Sequence, residues 1–263
     1  MTAEIPQPNS GDGTVGKALE VLEQVASFGR PVRFSELLES SRYPKATLYR
    51  FVQTLTNQHM LAFDRERQTY AVGLRCVRLA HSAWQTSSLA PIARPFIDGL
   101  AYRVGEAVHL AQLDHGHVLF VDKRKTTDVF ETLAQTGKVA PSYCTGVGKA
   151  ILAFMPEEDR ARALRQQSFW QYTPATHADA DSLTPELEAI RADGVAFDRE
   201  EHEKGIISIA APILAQSDRV IGAVSIATST SRRSLAELEE LKPEILKTAA
   251  NIAADAAHWQ FPT

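Results

Sequence analysis

Between Phe34 and Gln58 the chain reads FSELLESSRYPKATLYRFVQTLTNQ, and no other stretch narrows the possible folds so far. In its second half Leu48, Phe51, Val52 and Leu55 recur at a spacing that makes one face of a helix and no face of a strand. Pro44 stands where that helix should begin, a place where a missing N–H costs nothing. The shorter run Phe34, Leu37 and Leu38 predicts a first amphipathic helix, with Ser35 as its cap and Glu36 as a first-turn acid. Two such helices joined by the turn Ser40–Tyr43 read as a helix-turn-helix.

Burying the apolar face of the second helix turns Lys45, Ala46, Thr47, Tyr49, Arg50 and Gln53 outward. Cations, hydroxyls, an amide and a small residue are the groups that contact phosphates and base edges. No acidic residue occurs between Glu39 and Asp64, whereas Arg42, Lys45 and Arg50 do. An ordinary solvated face is the plain alternative. The next residues favour the first reading. Met60–Phe63 and Thr69–Val72 are strand-like runs around the polar tip Asp64–Gln68, which predicts a hairpin and hence a winged motif. Arg65 and Arg67 at the tip are placed to meet the DNA backbone or an adjacent minor groove.

From Gly16 to Arg75 the sequence resembles the N-terminal domain of the IclR family of bacterial transcription regulators. The matching landmarks are the helix from Gly16, the PKAT start at Pro44–Thr47, Arg50 within LYRFVQTL, and the tail TYAVGLR. The resemblance implies that the segment after the wing is a linker helix that helps the DNA-binding domains dimerise.

The net charge of −4 fits a DNA binder once it is divided along the chain. Residues 1–85 carry 10 Lys and Arg against 8 Asp and Glu, and the remainder carries 18 against 24. That asymmetry suits a DNA-contacting end joined to a domain with another task. Apolar runs such as Val220–Ala227 are too short to span a bilayer, and no basic-then-apolar leader opens the chain. A cytoplasmic protein with no membrane contact is expected. Cys76 and Cys144 are too few for a disulfide framework and match no metal spacing.

Before the helix-turn-helix, Met1 to Gly13 should be a mobile tail. A supporting helix follows, with Val15, Ala18, Leu19, Leu22, Val25 and Ala26 on one face, ending at Phe28-Gly29-Arg30-Pro31. Beyond the wing, a helix from Gly73 to about Ser88 carries Leu74, Val77, Leu79, Ala80 and Trp84. Later elements mix types: a helix at 92–104, strands Val108–Leu113 and Val118–Val121 about the turn Asp114–His117, and helices Val147–Phe154, Pro156–Gln166 and Pro185–Arg191. Ile206–Leu214 and Val220–Thr228 form a hairpin through Gln216–Arg219. A helix over Leu235–Trp259 closes the chain, bent or interrupted at Pro243. Antiparallel strand pairs with helices outside make an α+β class. The expected boundaries are a winged helix-turn-helix over 14–72, a linker helix over 73–90 and an effector-binding domain over 91–260.

The second half also resembles the IclR family, in its effector domain, which is similar to the GAF fold. The resemblance rests on YCTGVGKAILAF (Tyr143–Phe154), GVAFDREEHEKGIISIAAPI (Gly194–Ile213) and VIGAVSIATST (Val220–Thr230). TGVGKA is no phosphate loop, because Tyr143 stands where the first glycine belongs and Ala150 follows Lys149. A glycine-rich helix start still offers free N–H groups to an anion, and a tight turn requiring glycine is the alternative. The resemblance implies that Gly146 and Val147 line the effector pocket and that Asp198 matches a pocket acid. An exposed turn residue is the alternative for Asp198. Ile206 with Ser208, and Ser225 with Ala227, share strand faces, so these residues are candidates for the same lining. Many relatives have a cysteine at Ser208, and some a serine at Ala227; an alanine there predicts a wider, more apolar pocket.

His109, His115, His117 and His202 lack a completing ligand set, so neither a metal nor another cofactor is expected. No GxSxG elbow or activated cysteine points to an enzyme. The function expected is therefore a transcription regulator that senses a small organic acid and binds a near-palindromic operator in double-stranded DNA as a homodimer. The resemblance extends the assembly to a tetramer. The competing class is a metabolite-binding enzyme whose N-terminal helices serve oligomerisation.

Overall fold

The computed structural model describes residues 13–125, 132–215 and 218–258. The expected N-terminal tail, the Gln216-Ser217 part of one turn and Trp259 lie outside the described residues. Two compact units divide the chain, residues 1–86 and 87–263. No helix among the described residues is long and apolar enough to cross a membrane.

The N-terminal unit runs α1 (Gly13–Ser27), β1 (Val32–Arg33), α2 (Phe34–Ser40), α3 (Lys45–Asn57), β2 (Leu61–Asp64), β3 (Thr69–Val72) and α4 (Leu74–Ser87). Leu48, Phe51, Val52 and Leu55 of α3 are all buried, with Leu37 of α2, Leu61, Tyr70 and Val32 closing the core around them. Each such side chain contributes roughly 1.5–3 kcal/mol. The wing strands pair as Leu61 to Val72 and Asp64 to Thr69, and β1 adds a third strand on β3 that the sequence did not announce.

Two local expectations change. The cap of α2 is Arg33, not Ser35: Glu36 reaches back to accept the Arg33 N–H at 2.9 Å and also pairs with Arg30. Helix α1 keeps Ala18, Leu22 and Val25 of the expected face on the core and adds the buried Val21, while Val15 is 73% exposed and Leu19 and Ala26 also face out. Its apolar residues form two adjoining stripes, and tertiary packing on α3 covers one of them.

The second unit runs α5 (Ala90–Val104), β4 (Ala107–Asp114), β5 (His117–Arg124), β6 (Val139–Pro141), α6 (Gly146–Phe154), α7 (Glu157–Arg165), α8 (Ala180–Asp193), β7 (Ala196–Arg199), β8 (Ile206–Leu214), β9 (Val220–Ser229), α9 (Leu235–Glu239) and α10 (Lys242–Asp255). The strands form one antiparallel sheet in the order β6-β5-β4-β9-β8-β7. This is the expected α+β class. Helices α5 and α10 pair and pack on the sheet, and α6, backed by α8, packs on it through other side chains. Strands β6 and β7 went unread in the sequence because β6 has only three residues and β7 buries three in a row, so neither alternates. Helix α8 begins five residues before Pro185, where the Asp179 carboxylate accepts the Ser182 N–H at 2.8 Å. Pro243 sits in the first turn of α10, so it starts a second helix instead of bending one.

Register decides what α6 meets. Ala107, Ala227, Ser208 and Asp198 are paired across β4, β9, β8 and β7. His109, Ser225, Ala210 and Ala196 make the next such row, two residues along and therefore on the same face. Seven of these eight side chains other than His109 are small or short, which lets α6 approach the sheet closely.

Candidate functional sites

On the N-terminal unit, Lys45, Ala46, Tyr49 and Arg50 of α3 are exposed, and Thr47 and Gln53 are half-buried at the edge of the same face. Tyr49 is held edge-to-face on Phe34, with ring centroids 5.8 Å apart, and the Arg50 guanidinium lies over Phe51. At the wing tip the Asp64 side chain accepts N–H bonds from Glu66 and Arg67, which fixes the turn that presents Arg65 and Arg67. Lys45, Arg50, Arg65 and Arg67 are in no ion pair among the described residues. Arg42 differs: Glu20 of α1 holds its guanidinium at 2.5 Å, so it braces the turn. Helix α4 buries no residue, and Leu74, Val77 and Leu79 all face out from it.

In the second unit a cavity opens at the start of α6. All seven residues expected there, Gly146, Val147, Asp198, Ile206, Ser208, Ser225 and Ala227, line it. The structure adds His109, Phe120, Thr132, Ala134, Thr145, His202 and Glu203. Polar side chains thus make up more than half of the lining, and the cavity holds about 40 Å³. Of the histidines and carboxylates in the lining, Asp198, His202 and Glu203 come from the Gly194–Ile213 stretch and His109 comes from β4.

Space is tight at Gly146. Its φ is ordinary, but a Cβ there would stand 2.7 Å from Ser208 Oγ and 3.4 Å from Ala210 Cβ. Thr145 caps α6 by accepting the Gly148 N–H at 3.2 Å. The other first-turn N–H groups have no intrahelical partner, and the helix dipole favours an anion there. A second polar feature is His109, which is 2% exposed and leaves Nε2 without a partner among the described residues. Burial, with Lys123 nearby, pushes its pKa down to about 3, so it is a neutral imidazole. Burial likewise lowers His202 to about 4.

Asp198 is no exposed turn residue: it lies on β7 and is 7% exposed. Burial, then the neighbouring Glu201 carboxylate, raises its pKa to about 7. Its Oδ1 accepts the Glu201 N–H at 2.8 Å. Behind it the fully buried Lys149 binds both Glu186, at 2.8 Å, and Glu201. His177 joins Glu186 at 2.6 Å, and the Lys149 ammonium already stands between the two carboxylates of this group. Over the cavity, Lys123 Nζ donates to Thr132 Oγ1 and the Ala134 carbonyl, and Glu203 accepts the Leu133 N–H at 2.9 Å. His115 and His117 stand apart on the β4–β5 turn. Burial raises the Cys144 thiol well above its usual range, which leaves it unreactive.

Sequence reasoning missed Phe120, Thr132, Ala134, Thr145 and Glu203 as lining residues, and weighed His109 and His202 for metal binding alone. The alternation that places Ser225 inward also places its cross-strand partner His109 inward, so that residue was within reach once the pairing was known.

Comparison with known proteins follows the same division. Residues 14–65 match the IclR helix-turn-helix domain, and residues 81–254 match the bacterial transcriptional regulator IclR C-terminal domain. The chain is 27% identical to the HTH-type transcriptional regulator KdgR of Escherichia coli over 258 residues, covering 97% of each. It is 28% identical to the transcriptional repressor IclR of Escherichia coli over 238 residues, covering 90% of this chain and 87% of that one. Among solved structures, IclR of Thermotoga maritima superposes with a TM-score of 0.74 at 25% identity, over 93% of this chain and 98% of its own. A transcriptional regulator of Rhodococcus sp. RHA1 superposes with a TM-score of 0.79 at 26% identity, over 94% and 99%.

Proposed function

The chain belongs to the IclR family of bacterial transcription regulators, with a DNA-binding N-terminal domain and a C-terminal effector domain, and from that premise we propose that its effector is a small organic acid bound at the start of α6. The observation that carries this reading is the cavity itself. It joins a helix N-terminus that favours an anion to a buried, neutral His109 whose Nε2 has no partner among the described residues, with Ser208 and Ser225 beside them. Coupling to DNA requires that the acid bind one of two conformations more tightly than the other.

On the DNA side the reading rests on the unpaired cations of α3 and the wing. Lys45, Ala46, Thr47, Tyr49, Arg50 and Gln53 enter the major groove, and Arg65 and Arg67 meet the backbone or minor groove beside it. The exposed Leu74, Val77 and Leu79 of α4 pair with a second copy, so a homodimer meets a near-palindromic operator. Genome-wide mapping of bound DNA, followed by titration of the mapped operator with full-length protein, tests this. Binding should weaken steeply with salt. Carboxylic acids, and not their neutral amides, should change operator affinity. Amides that act as well as acids would refute the anion site.

A further inference from the structure

Among the described residues, two carboxyl groups line the cavity, Asp198 and Glu203, and no Lys or Arg does. Glu203 is committed to the Leu133 N–H. Asp198 accepts one backbone bond from Glu201, and the buried cation behind it, Lys149, is already shared between Glu201 and Glu186. An effector carboxylate arriving at α6 would therefore meet the Asp198 carboxylate, while the ammonium groups of Lys149 and Lys123 are held by Glu201 and Glu186 and by Thr132 and the Ala134 carbonyl. Two carboxylates sharing one buried site do not both stay ionised.

We propose that the cavity binds its organic acid together with one proton, carried by the Asp198 carboxyl, which donates a hydrogen bond to the effector's carboxylate. The proposal rests on the organic-acid reading above and specifies its chemistry. The proton comes from solvent, and no bond other than hydrogen bonds changes. The groups facing Asp198 set the balance. Glu201, His202 and Glu203 come from its own loop, Cys144 and Lys149 from the α6 segment and His109 from β4, with Glu186 behind Lys149 and Lys123 held over the cavity by Thr132 and Ala134. Burial and the Glu201 carboxylate favour the proton; the Glu201 N–H, Lys149 and the His202 N–H oppose it. Both histidines are neutral, so neither supplies a counter-charge. The carboxyl accordingly titrates at about 7 in the free protein, and a bound anion moves it higher.

The sign follows from linkage. Below pH 7 the proton is already in place and acid affinity is greatest. Above pH 7 it must be taken up, so affinity falls toward tenfold per pH unit. The test uses full-length protein and the monocarboxylate, among acetate, pyruvate, benzoate and phenylacetate, that raises Tm most, together with its primary amide. Calorimetry at pH 6 to 9 in phosphate and in Tris, which differ in ionisation heat, should show uptake of close to one proton at pH 8. Asp198→Asn keeps an acceptor for the Glu201 N–H and presents a permanent donor to the cavity. It should bind the acid with flat pH dependence, no proton uptake, and at pH 9 about tenfold or more tighter than the unmodified protein. Flat wild-type affinity with no buffer-dependent heat overturns the proposal, and so does a pH slope that persists in Asp198→Asn. If Asp198→Asn does not fold, the wild-type heats decide alone. Equal binding of acid and amide, or no Tm shift with any acid from pH 6 to 9, removes the organic-acid reading and the proposal with it.

Discussion

Replacing Gly146 by alanine should destabilise the C-terminal unit by about 1–3 kcal/mol, the usual cost of overpacking a close contact. The added methyl would stand 2.7 Å from Ser208 Oγ, nearer than real Cβ contacts come, while Ala210 Cβ at 3.4 Å and the Asp198 amide nitrogen at 3.5 Å are tight or ordinary neighbours. The clash is thus with one hydroxyl. Removing it in Ser208→Ala should cost little alone and should rescue Gly146→Ala, giving a coupling of about 1–2 kcal/mol between the two sites. Denaturant unfolding of the four proteins in the cycle, followed through the C-terminal unit, measures that coupling. The same pair separates two explanations of the glycine. A turn demanding unusual torsions would leave Gly146→Ala unrescued, because Ser208 has no part in backbone strain. Additive costs, or a Gly146→Ala variant as stable as the parent, would show that space at Ser208 is not what fixes glycine here.

Three other substitutions probe separate links. Arg50→Ala should cost about 1–3 kcal/mol in operator binding with relaxed base preference, whereas Lys45→Ala should weaken all DNA about equally and reduce the salt slope by about 1. Unchanged affinity in both, by fluorescence anisotropy, would reject α3 as the reader. Gly73→Ala places a Cβ 2.2 Å from the His59 carbonyl oxygen, which is backbone and cannot swing away, so thermal unfolding of the N-terminal unit should show a loss of about 3 kcal/mol or more. His109 sits at about 3 in the folded state against about 6.5 unfolded, so the unfolded chain takes up the proton first as pH falls. Stability present above pH 6.5 should drop by up to about 4 kcal/mol toward pH 3, and His109→Gln should flatten that part of the profile. An identical profile in His109→Gln would mean that other groups govern acid unfolding.

Sequence alone determined the elements whose signal is local. Leu48, Phe51, Val52 and Leu55 repeat at helical spacing, and that spacing requires neither a partner nor a neighbour to be read. The alternation of β8 and β9 likewise reports a strand face wherever the strand is placed, which is how Ile206, Ser208, Ser225 and Ala227 were assigned to one lining. Where two stripes adjoin, as on α1, periodicity does not choose between them, and packing on α3 selected Val21 and Val25 over Val15 and Leu19. The charges show the same division. Arg42 and Arg50 look alike in the chain, yet Glu20, 22 residues away from Arg42, neutralises one and leaves the other facing solvent. Asp198 and Lys149 belong to a charged run and to a glycine-rich helix. Burial, Glu201 and Glu186 make them a carboxyl whose pKa is raised to about 7 and a shared buried cation. Those properties depend on which groups meet across distant segments and on how much water is left between them, and the tertiary structure alone sets both.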